Sequence, residues 1–257
     1  KLPQTAGNEV VGIIEETGKQ VKNLKVGDRV FGRLPLDHIG AFAEYVAVDS
    51  QALAKVPDYL SDEEAAAVPL TALTIMQALE LMGAQSSKTI FISGGTGGVG
   101  GMAIPIAKGK GLKVITNGAG DSAERVLKLG ADRFIDYKTE DYTKTVSQVD
   151  YVLDTLGGAK TEKQMSIMKK GGQLVSLRAM PNGDFAKRMN LPKWKQILLG
   201  LAGRKFDKMA DKYGVHYHFI FVESNGAQLQ EVADLFSRLE IKPSIDTVYP
   251  FEEVNSA

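Results

Sequence analysis

Residues 88–101, KTIFISGGTGGVGG, decide the fold, because a short apolar run leads there into a glycine-rich turn and then into a helical pattern. Residues 95–100 match the spacing G-x-G-x-x-G directly after a predicted strand. Glycines at these positions permit a tight turn, close approach of a ligand to the backbone, and close packing of the helix on the strand. The amides of Gly97, Gly98 and Val99 would face a diphosphate at the positive end of the helix dipole. The stretch therefore predicts a dinucleotide-binding turn.

After Lys88 the chain alternates between strand-like and helix-like segments, which is the pattern of a parallel sheet with crossover helices. Glycine-rich turns also occur in ordinary α/β connections, but the repeated alternation favours the dinucleotide interpretation. The predicted strands cover residues 90–93, 113–117, 133–136, 151–155, 173–177 and 218–223, and the predicted helices cover residues 98–108, 122–129 and 162–168.

The first part of the chain has a different residue pattern, with short runs rich in Val, Ile, Phe and Tyr between glycine and polar turns. These runs predict strands of a small barrel or rolled sheet at residues 9–16, 28–32 and 41–48. Ser61 and Glu64 form a predicted capping box at the start of a helix that Pro69 interrupts.

We interpret the changes in pattern as a β-rich domain at residues 1–86, a nucleotide-binding sheet domain at 87–223, and a return to the first domain at 224–257. The return is predicted to consist of a helix at 227–239 and a strand at 243–249. Both ends of the sequence break off within an element, so we expect the first domain to be incomplete at both ends.

A helical insertion is predicted at residues 179–214, where large apolar residues recur at roughly helical spacing among many lysines and arginines. Two or three short amphipathic helices fit this pattern. They form either a packed surface subdomain, or a lid or subunit contact beside the active site.

Composition excludes several classes of function. The 31 basic and 31 acidic side chains cancel, so no long-range field favours nucleic acid or an anionic membrane as partner, although a local basic patch is still allowed. The lack of cysteine excludes disulfides, thiolate metal ligands and a cysteine nucleophile. No apolar run approaches a membrane span and no signal-peptide pattern opens the chain, so a cytoplasmic location is expected.

The second strand of the sheet domain selects the dinucleotide. An NAD site usually places an acid at the end of this strand to accept from the ribose 2′-hydroxyl, and that charge repels a 2′-phosphate. Here the strand ends with the neutral residues 115–118, ITNG, which favours NADP. Asn117 and Ser122 can donate to a phosphate, and Lys138 or Arg125 can add charge. The alternative is that these are ordinary turn residues in a site of mixed preference.

Several motifs occur together and in one order: GNE at residues 7–9, VVGIIEETG, KVGDRVFG, GAFAEYVAV, AAAVPLTALTIMQAL, GGTGGVG, KLGADRFIDY, DYVLDTLGG and IDTVYPFEEV. In these motifs the chain resembles the medium-chain dehydrogenase/reductase superfamily, and within it the zinc-free quinone oxidoreductase branch. The resemblance implies an α/β fold in which a Rossmann doubly wound parallel sheet accompanies a GroES-like β-barrel catalytic domain, with a cleft between the two. Zinc-dependent members have Gly-His-Glu at the first motif, with His as a ligand. Asn8 replaces that His, so no catalytic zinc is expected.

The resemblance also implies where the cofactor lies. Thr74 is expected beside the nicotinamide. The other expected contacts are Thr96, Gly97, Gly98 and Val99 at the diphosphate; Asn117, Gly118 and Ser122 at the adenosine 2′-phosphate; Tyr137 at the adenosine; Leu156 and Gly157 near the ribose; and Leu177, Phe221 and Val222 at the nicotinamide carboxamide. For each apolar residue in this set, a plain core position is an equally good interpretation.

Without zinc the enzyme lacks a strong Lewis acid, so hydride transfer from NADPH to a quinone or an α,β-unsaturated carbonyl is the expected reaction. Two alternatives stay open. One is a reductase of acyl-thioester enones in which Lys187, Arg188, Lys193 and Lys195 hold a phosphopantetheine or coenzyme A phosphate. The other is an NADPH-binding protein without turnover. A homodimer is expected, and Tyr45 is expected to be packed within a strand instead of acting as a proton donor.

Overall fold

The computed structural model describes residues 5–256, and it divides into two compact units. One unit combines the residues up to Leu73 with the residues from Glu223 onward, and the other spans Thr74–Val222. No helix in the described range is both long enough and apolar enough to cross a lipid bilayer.

In chain order the strands are β1 (Glu9–Ile13), β2 (Arg29–Arg33), β3 (Leu53–Lys55), β4 (Thr89–Ile92), β5 (Lys113–Gly118), β6 (Arg133–Asp136), β7 (Val149–Asp154), β8 (Met168–Ser176) and β9 (His216–Phe219). The helices are α1 (Asp62–Ala66), α2 (Pro69–Leu81), α3 (Gly98–Gly109), α4 (Ala123–Lys128), α5 (Tyr142–Thr145), α6 (Ala159–Met165), α7 (Gly183–Arg188), α8 (Lys193–Tyr213) and α9 (Gly226–Leu239). Single 3₁₀ turns lie at Leu36–His38, Ser50–Ala52, Gly120–Ser122 and Phe251–Ser256.

The first unit is built on an antiparallel sheet with the order β1-β2-β3. Helix α9 lies against β3 so closely that a Cβ on Gly226 would overlap with the carbonyl oxygen of Leu53. The predicted capping box at the start of α1 is confirmed, because the Glu64 amide donates to Ser61 Oγ at 3.1 Å and the Ser61 amide donates to Glu64 Oε2 at 2.9 Å. Pro69 begins α2, where its missing N–H costs nothing.

Two strand predictions in this unit are wrong. Residues 41–48 and 243–249 have no strand structure, and Tyr45 is 72% exposed instead of packed. Both segments carry the composition of a strand, but a strand also needs a neighbour to share its hydrogen bonds. In the described part of the chain neither segment has such a neighbour along its length. Only the start of the first segment is bonded across, where the amides of Ala41 and Phe42 donate to the carbonyls of Gly7 and Ala6 at 3.1 and 2.9 Å.

The second unit is a six-stranded sheet with the order β6-β5-β4-β7-β8-β9, in which every neighbouring pair is parallel. From β4 the chain moves outward to β5 and β6, then crosses back to β7 on the other side of β4. The strand order therefore reverses between β4 and β7, and this reversal is the place where doubly wound sheets bind ligands. Together with the antiparallel sheet of the first unit, this arrangement confirms the predicted fold class.

Three details of the second unit differ from the sequence prediction. Strand β8 begins at Met168, five residues before its predicted start, and residues 169–172 form a bulge within it, because Val149 pairs with Met168 and Tyr151 pairs with Gln173. The insertion contains one short helix, α7, and one long helix of 21 residues, α8. Strand β9 ends at Phe219, four residues before the predicted end, so residues 220–223 are irregular.

A buried carboxylate fixes the loop that follows β7. Asp154 is fully buried, and its Oδ1 accepts from the amides of Leu156 and Gly157 at 3.1 and 2.9 Å. The Gln164 side chain donates to the same oxygen at 2.8 Å. Oδ2 accepts from the hydroxyls of Thr161 at 2.7 Å and Ser176 at 2.9 Å. One side chain thereby joins the loop, α6 and the end of β8.

We expect Asp154→Ala to lower the free energy of unfolding by about 3 to 5 kcal/mol, because it leaves several buried donors without an acceptor. Asp154→Asn should cost less, since one amide oxygen still accepts. Chemical denaturation of the two variants measures both values. A loss below about 1 kcal/mol for the alanine variant would show that water or a rearrangement satisfies these donors.

Candidate active site

The expected cofactor residues of the second unit gather at one edge of its sheet. The carboxyl ends of parallel strands share an edge, and each expected group begins within four residues of such an end. Thr96–Val99 follow β4 and open α3, residues 117 and 118 end β5, Tyr137 follows β6, residues 156 and 157 follow β7, Leu177 follows β8, and residues 221 and 222 follow β9. Ser122 closes the 3₁₀ turn beyond β5, and Thr74 lies on α2.

The glycine turn after β4 is shaped by close contacts that admit no side chain. A Cβ on Gly95 would overlap with the Thr116 hydroxyl, and a Cβ on Gly100 would overlap with the Gly94 carbonyl oxygen. Gly94 itself has φ +68°, a conformation that side chains disfavour. These three positions thus require glycine because the start of α3 lies directly on the ends of β4 and β5.

The two central glycines of the turn face open space. Gly97 and Gly98 are exposed, and a Cβ on Gly98 would meet nothing within 4 Å. The Gly97 amide donates to the Gly94 carbonyl at 3.0 Å, so it is engaged within the turn. The first bond inside α3 runs from the Gly101 amide to the Gly97 carbonyl at 2.7 Å, which leaves the amides of residues 98–100 without an acceptor in the helix. The open end of α3 has the shape and polarity of an anion site.

Asn117 supports this turn from the neighbouring strand. Its side chain is buried, and Oδ1 accepts from the Gly94 amide at 2.9 Å, while its backbone carbonyl accepts from the Gly95 amide at 2.9 Å. The sequence prediction gave Asn117 a contact with a phosphate. In the structure the Asn117 amide oxygen instead holds the glycine turn in place.

Gly118 is a glycine for a steric reason. A Cβ there would overlap with the side chain of Thr96, so the end of β5 and the glycine turn are in direct contact. An acid at this position, as in many NAD sites, has no room.

Two charged residues lie beside this contact. Arg125 on α4 donates from Nη2 to the Thr96 carbonyl at 2.8 Å, which places its guanidinium at the glycine turn, as the sequence analysis allowed. Asp136 was not predicted to lie near the end of β5, because it belongs to the neighbouring strand β6. The sheet register pairs Gly118 with Asp136, and a Cβ on Gly120 would lie 2.5 Å from Asp136 Oδ2. A register prediction for β5 and β6 would have found this carboxylate.

Hydrogen bonds from side chains to backbone tie the strand ends of the site together. Thr116 Oγ1 donates to the Ile92 carbonyl at 2.6 Å, which links β5 to β4. Thr155 Oγ1 donates to the Ser93 carbonyl at 2.6 Å, and the Thr155 amide donates to Ser93 Oγ at 2.9 Å, which links β4 to the loop after β7. The loop glycine Gly157 has φ +69° and is held by Asp154. These hydrogen bonds therefore hold the ends of β4, β5 and β7 together at this edge of the sheet.

The remaining expected residues differ in exposure. Tyr137, Leu156 and Phe221 are exposed at this edge, whereas Leu177 and Val222 are half-buried. The Tyr137 amide donates to the Gly118 carbonyl at 3.2 Å, and the Leu177 amide donates to the Asp154 carbonyl at 2.9 Å. The exposed apolar side chains are therefore not core residues, which was the competing interpretation of their pattern.

Two family descriptions match the chain. The alcohol dehydrogenase GroES-like domain matches residues 1–58, and the zinc-binding dehydrogenase family matches residues 129–257.

Known proteins of related sequence and structure support the same grouping. The mouse mitochondrial NAD(P)H oxidoreductase RTN4IP1 is 32% identical over 269 residues, covering 100% of this chain and 67% of that protein. The tomato 2-methylene-furan-3-one reductase is 34% identical over 235 residues, covering 82% of this chain and 60% of that protein. The structure of the quinone oxidoreductase from Coxiella burnetii superimposes with a TM-score of 0.78 at 27% identity, covering 98% of this chain and 74% of that chain. The chain thus belongs to the medium-chain dehydrogenase/reductase superfamily, in its quinone oxidoreductase-like branch.

Proposed function

We propose that this chain is the larger part of a zinc-independent enzyme that uses NADPH to reduce a quinone or an α,β-unsaturated carbonyl compound. The observation that carries the proposal is the glycine turn at the reversal of strand order, with the open first turn of α3 beside it. The names of related proteins, an NAD(P)H oxidoreductase, a quinone oxidoreductase and an NADPH-dependent alkenal/one oxidoreductase, point to the same chemistry.

The residues present fit a dinucleotide. The amides of Gly98 and Val99 would hold the diphosphate at the start of α3, with the bare backbone of Gly97 allowing close approach. Thr96 would lie beside the diphosphate. Gly118 and Ser122 would lie at the adenosine 2′-phosphate, with the Asn117 backbone behind them and Arg125 adding positive charge. When bound, NADPH supplies the hydride.

The other end of the cofactor would lie along the later strand ends. We assign Tyr137 to the adenosine, Leu156 and Gly157 to the ribose, and the backbones of Leu177, Phe221 and Val222 to the carboxamide. Thr74 would lie beside the nicotinamide. In these roles the chain positions the reacting carbon and excludes water from it, which are the main contributions a protein makes to hydride transfer.

Zinc independence is supported by the chemistry around Asn8 in the first unit. Its neighbour Glu9 accepts from the Leu70 amide at 2.8 Å and lies opposite Arg33 across β1 and β2. Arg33 is only 2% exposed. A buried guanidinium beside the carboxylate opposes a divalent cation at this position. Burial raises the pKa of Glu9, against the lowering effects of the Leu70 amide and Arg33.

Without a Lewis acid the favoured acceptors are electron-poor ones, whose developing enolate or phenolate needs only a hydrogen-bond donor. The acyl-thioester alternative relied on four cations of the insertion. Arg188 is already engaged by Asp184 at 3.2 Å and by the Phe219 carbonyl at 2.7 Å, which weakens that alternative. A homodimer and a cytoplasmic location stay predictions.

The proposal predicts that quinones, 2-alkenals and alkenones oxidise NADPH in the presence of the protein. The loss of absorbance of the reduced nicotinamide measures this reaction. A 2-enoyl thioester and a primary alcohol with NADP belong in the same panel as comparisons. Turnover restricted to the thioester would favour the acyl-thioester alternative. NADPH binding by calorimetry without turnover of any acceptor would favour the binding protein and contradict the proposal.

The glycine turn can be tested by a matched series. Gly98→Asp should weaken NADPH binding about 100-fold or more, because the carboxylate would lie at the diphosphate position, while acid at the first helical turn leaves stability unchanged or slightly raised. Gly98→Ala should bind nearly as the parent does, since its Cβ meets nothing. Gly95→Ala should destabilise the fold because its Cβ overlaps with Thr116. Equal binding by the parent and Gly98→Asp would place the cofactor elsewhere.

NADPH preference is expected to depend on Arg125. Arg125→Gln should raise the dissociation constant for NADPH about 10-fold and leave that for NADH unchanged, while Asp136→Asn should shift the ratio in the opposite direction. Lys128→Gln on the same helix is the matched control, because Lys128 pairs with Glu124 at 2.7 Å. An equal loss for both nucleotides in Arg125→Gln would mean that the residue only supports the Thr96 carbonyl.

A further inference from the structure

Helix α8, the long helix of the insertion, has two faces of opposite character. One face packs on the second unit. Gly203 lies so close to the preceding loop that a Cβ there would overlap with Asn182, and Ala210 is buried in the core of the unit. Phe206 stacks on Tyr217 with ring centroids 5.2 Å apart, and Asp207 accepts from the Asn182 side chain at 2.7 Å. These contacts fix the orientation of the helix.

The opposite face carries an exposed apolar stripe. Trp194, Ile197, Leu198 and Leu201 are 63%, 66%, 57% and 64% exposed, and their spacing of i, i+3, i+4 and i+7 places them on one side of the helix. Isolated exposed apolar residues are ordinary, but four large ones in a row form a contiguous patch, and such patches mark interaction surfaces.

The stripe is surrounded by positive charge. Residues 187–213 contain eight lysines and arginines (187, 188, 193, 195, 204, 205, 208 and 212) and two aspartates (207 and 211), which gives a net charge of +6. Lys205, Lys208 and Lys212 continue the face of the stripe by helical spacing. Within the described range, Lys193, Lys195, Lys205 and Lys208 have no carboxylate partner within 4 Å, whereas Lys212 pairs with Glu162.

We propose that α8 docks this protein on an anionic lipid surface, with the apolar stripe entering the headgroup region and the lysines around it binding lipid phosphates. An amphipathic helix with Trp and Leu on one face and lysines around them lies in the plane of such an interface. The charge decides between occupants. A second copy would place two surfaces of net charge +6 against each other, and these would repel. A bilayer containing anionic lipids offers the opposite charge along the whole face.

The geometry suits lying on a membrane and not crossing it. The stripe covers two turns, about 10 Å of the helix, and the cations continue for a further two to three turns. No described helix is long and apolar enough to span a bilayer. A fluid lipid surface accommodates an exposed helical stripe without needing a complementary pocket. The inference is independent of the proposed reductase activity.

Trp194 is the only tryptophan in the sequence, so its emission reports directly on the stripe. The test adds the full chain to vesicles of phosphatidylcholine alone or of phosphatidylcholine and phosphatidylserine in equal amounts. We expect a blue shift of the emission and cosedimentation with the anionic vesicles. Binding should be at least tenfold weaker with phosphatidylcholine alone and should fall as salt is raised.

Two sets of variants separate the contributions. Ile197→Gln/Leu198→Gln/Leu201→Gln and Lys205→Glu/Lys208→Glu should each reduce vesicle binding at least tenfold. Their thermal unfolding should match that of the parent, because the altered side chains are exposed. Leu127→Gln on α4 and Lys19→Glu/Lys22→Glu in the first unit are the matched controls and should bind as the parent does.

Other outcomes overturn the proposal. An unchanged Trp194 emission with anionic vesicles, or equal binding by the stripe variant, excludes lipid docking through α8. A blue shift that appears with protein concentration alone, together with a dimer lost in the stripe variant, assigns the face to a second copy. Equal binding to soluble polyglutamate assigns it to an acidic protein partner.

Discussion

The close approach of α3 to the ends of β4 and β5 is the constraint on which the second unit depends. Gly95 fits under the Thr116 hydroxyl and Gly100 under the Gly94 carbonyl, so the first turn of α3 lies directly on the ends of β4 and β5. The amides at that end have no partners within the helix, and a ligand with negative charge satisfies them better than water does. A larger residue at either glycine would push the helix away from the sheet and remove the anion site.

A glycine-rich turn has a flexible backbone unless neighbouring residues hold it in place. Here polar residues of the neighbouring strands do so. Asn117 fixes two glycine amides, Thr116 and Thr155 bind backbone carbonyls of the β4 segment, and Asp154 fixes the loop opposite. These side chains are buried or half-buried and are paired with donors or acceptors, which makes their burial tolerable. They contribute to the site by holding backbone groups in place, so that little reorganisation is left for the binding step.

The sequence predicted correctly those features that depend on local residue patterns. The strand–helix alternation and the glycine turn were readable because each element carries its own signal, and a parallel sheet then places all strand ends at one edge. The strand predictions for residues 41–48 and 243–249 were wrong, because a strand forms only beside a hydrogen-bonding partner that sequence spacing does not reveal. Asp136 was missed for the same reason, since its place beside Gly120 follows from the pairing of β5 with β6.

Helix α8 shows the limit of periodicity most clearly, because a helical stripe looks the same in sequence whether it is buried or exposed. The large apolar residues of its first half suggested a packed face, yet the packed face is lined by Gly203 and Ala210, where small size allows close approach. Glycine inside a helix costs roughly 1 kcal/mol relative to alanine, and close packing offsets that cost at Gly203 as it does at Gly100 in α3. In both helices a glycine sets the distance to the body of the unit and so decides what stays outside: free amides in α3 and an apolar stripe in α8.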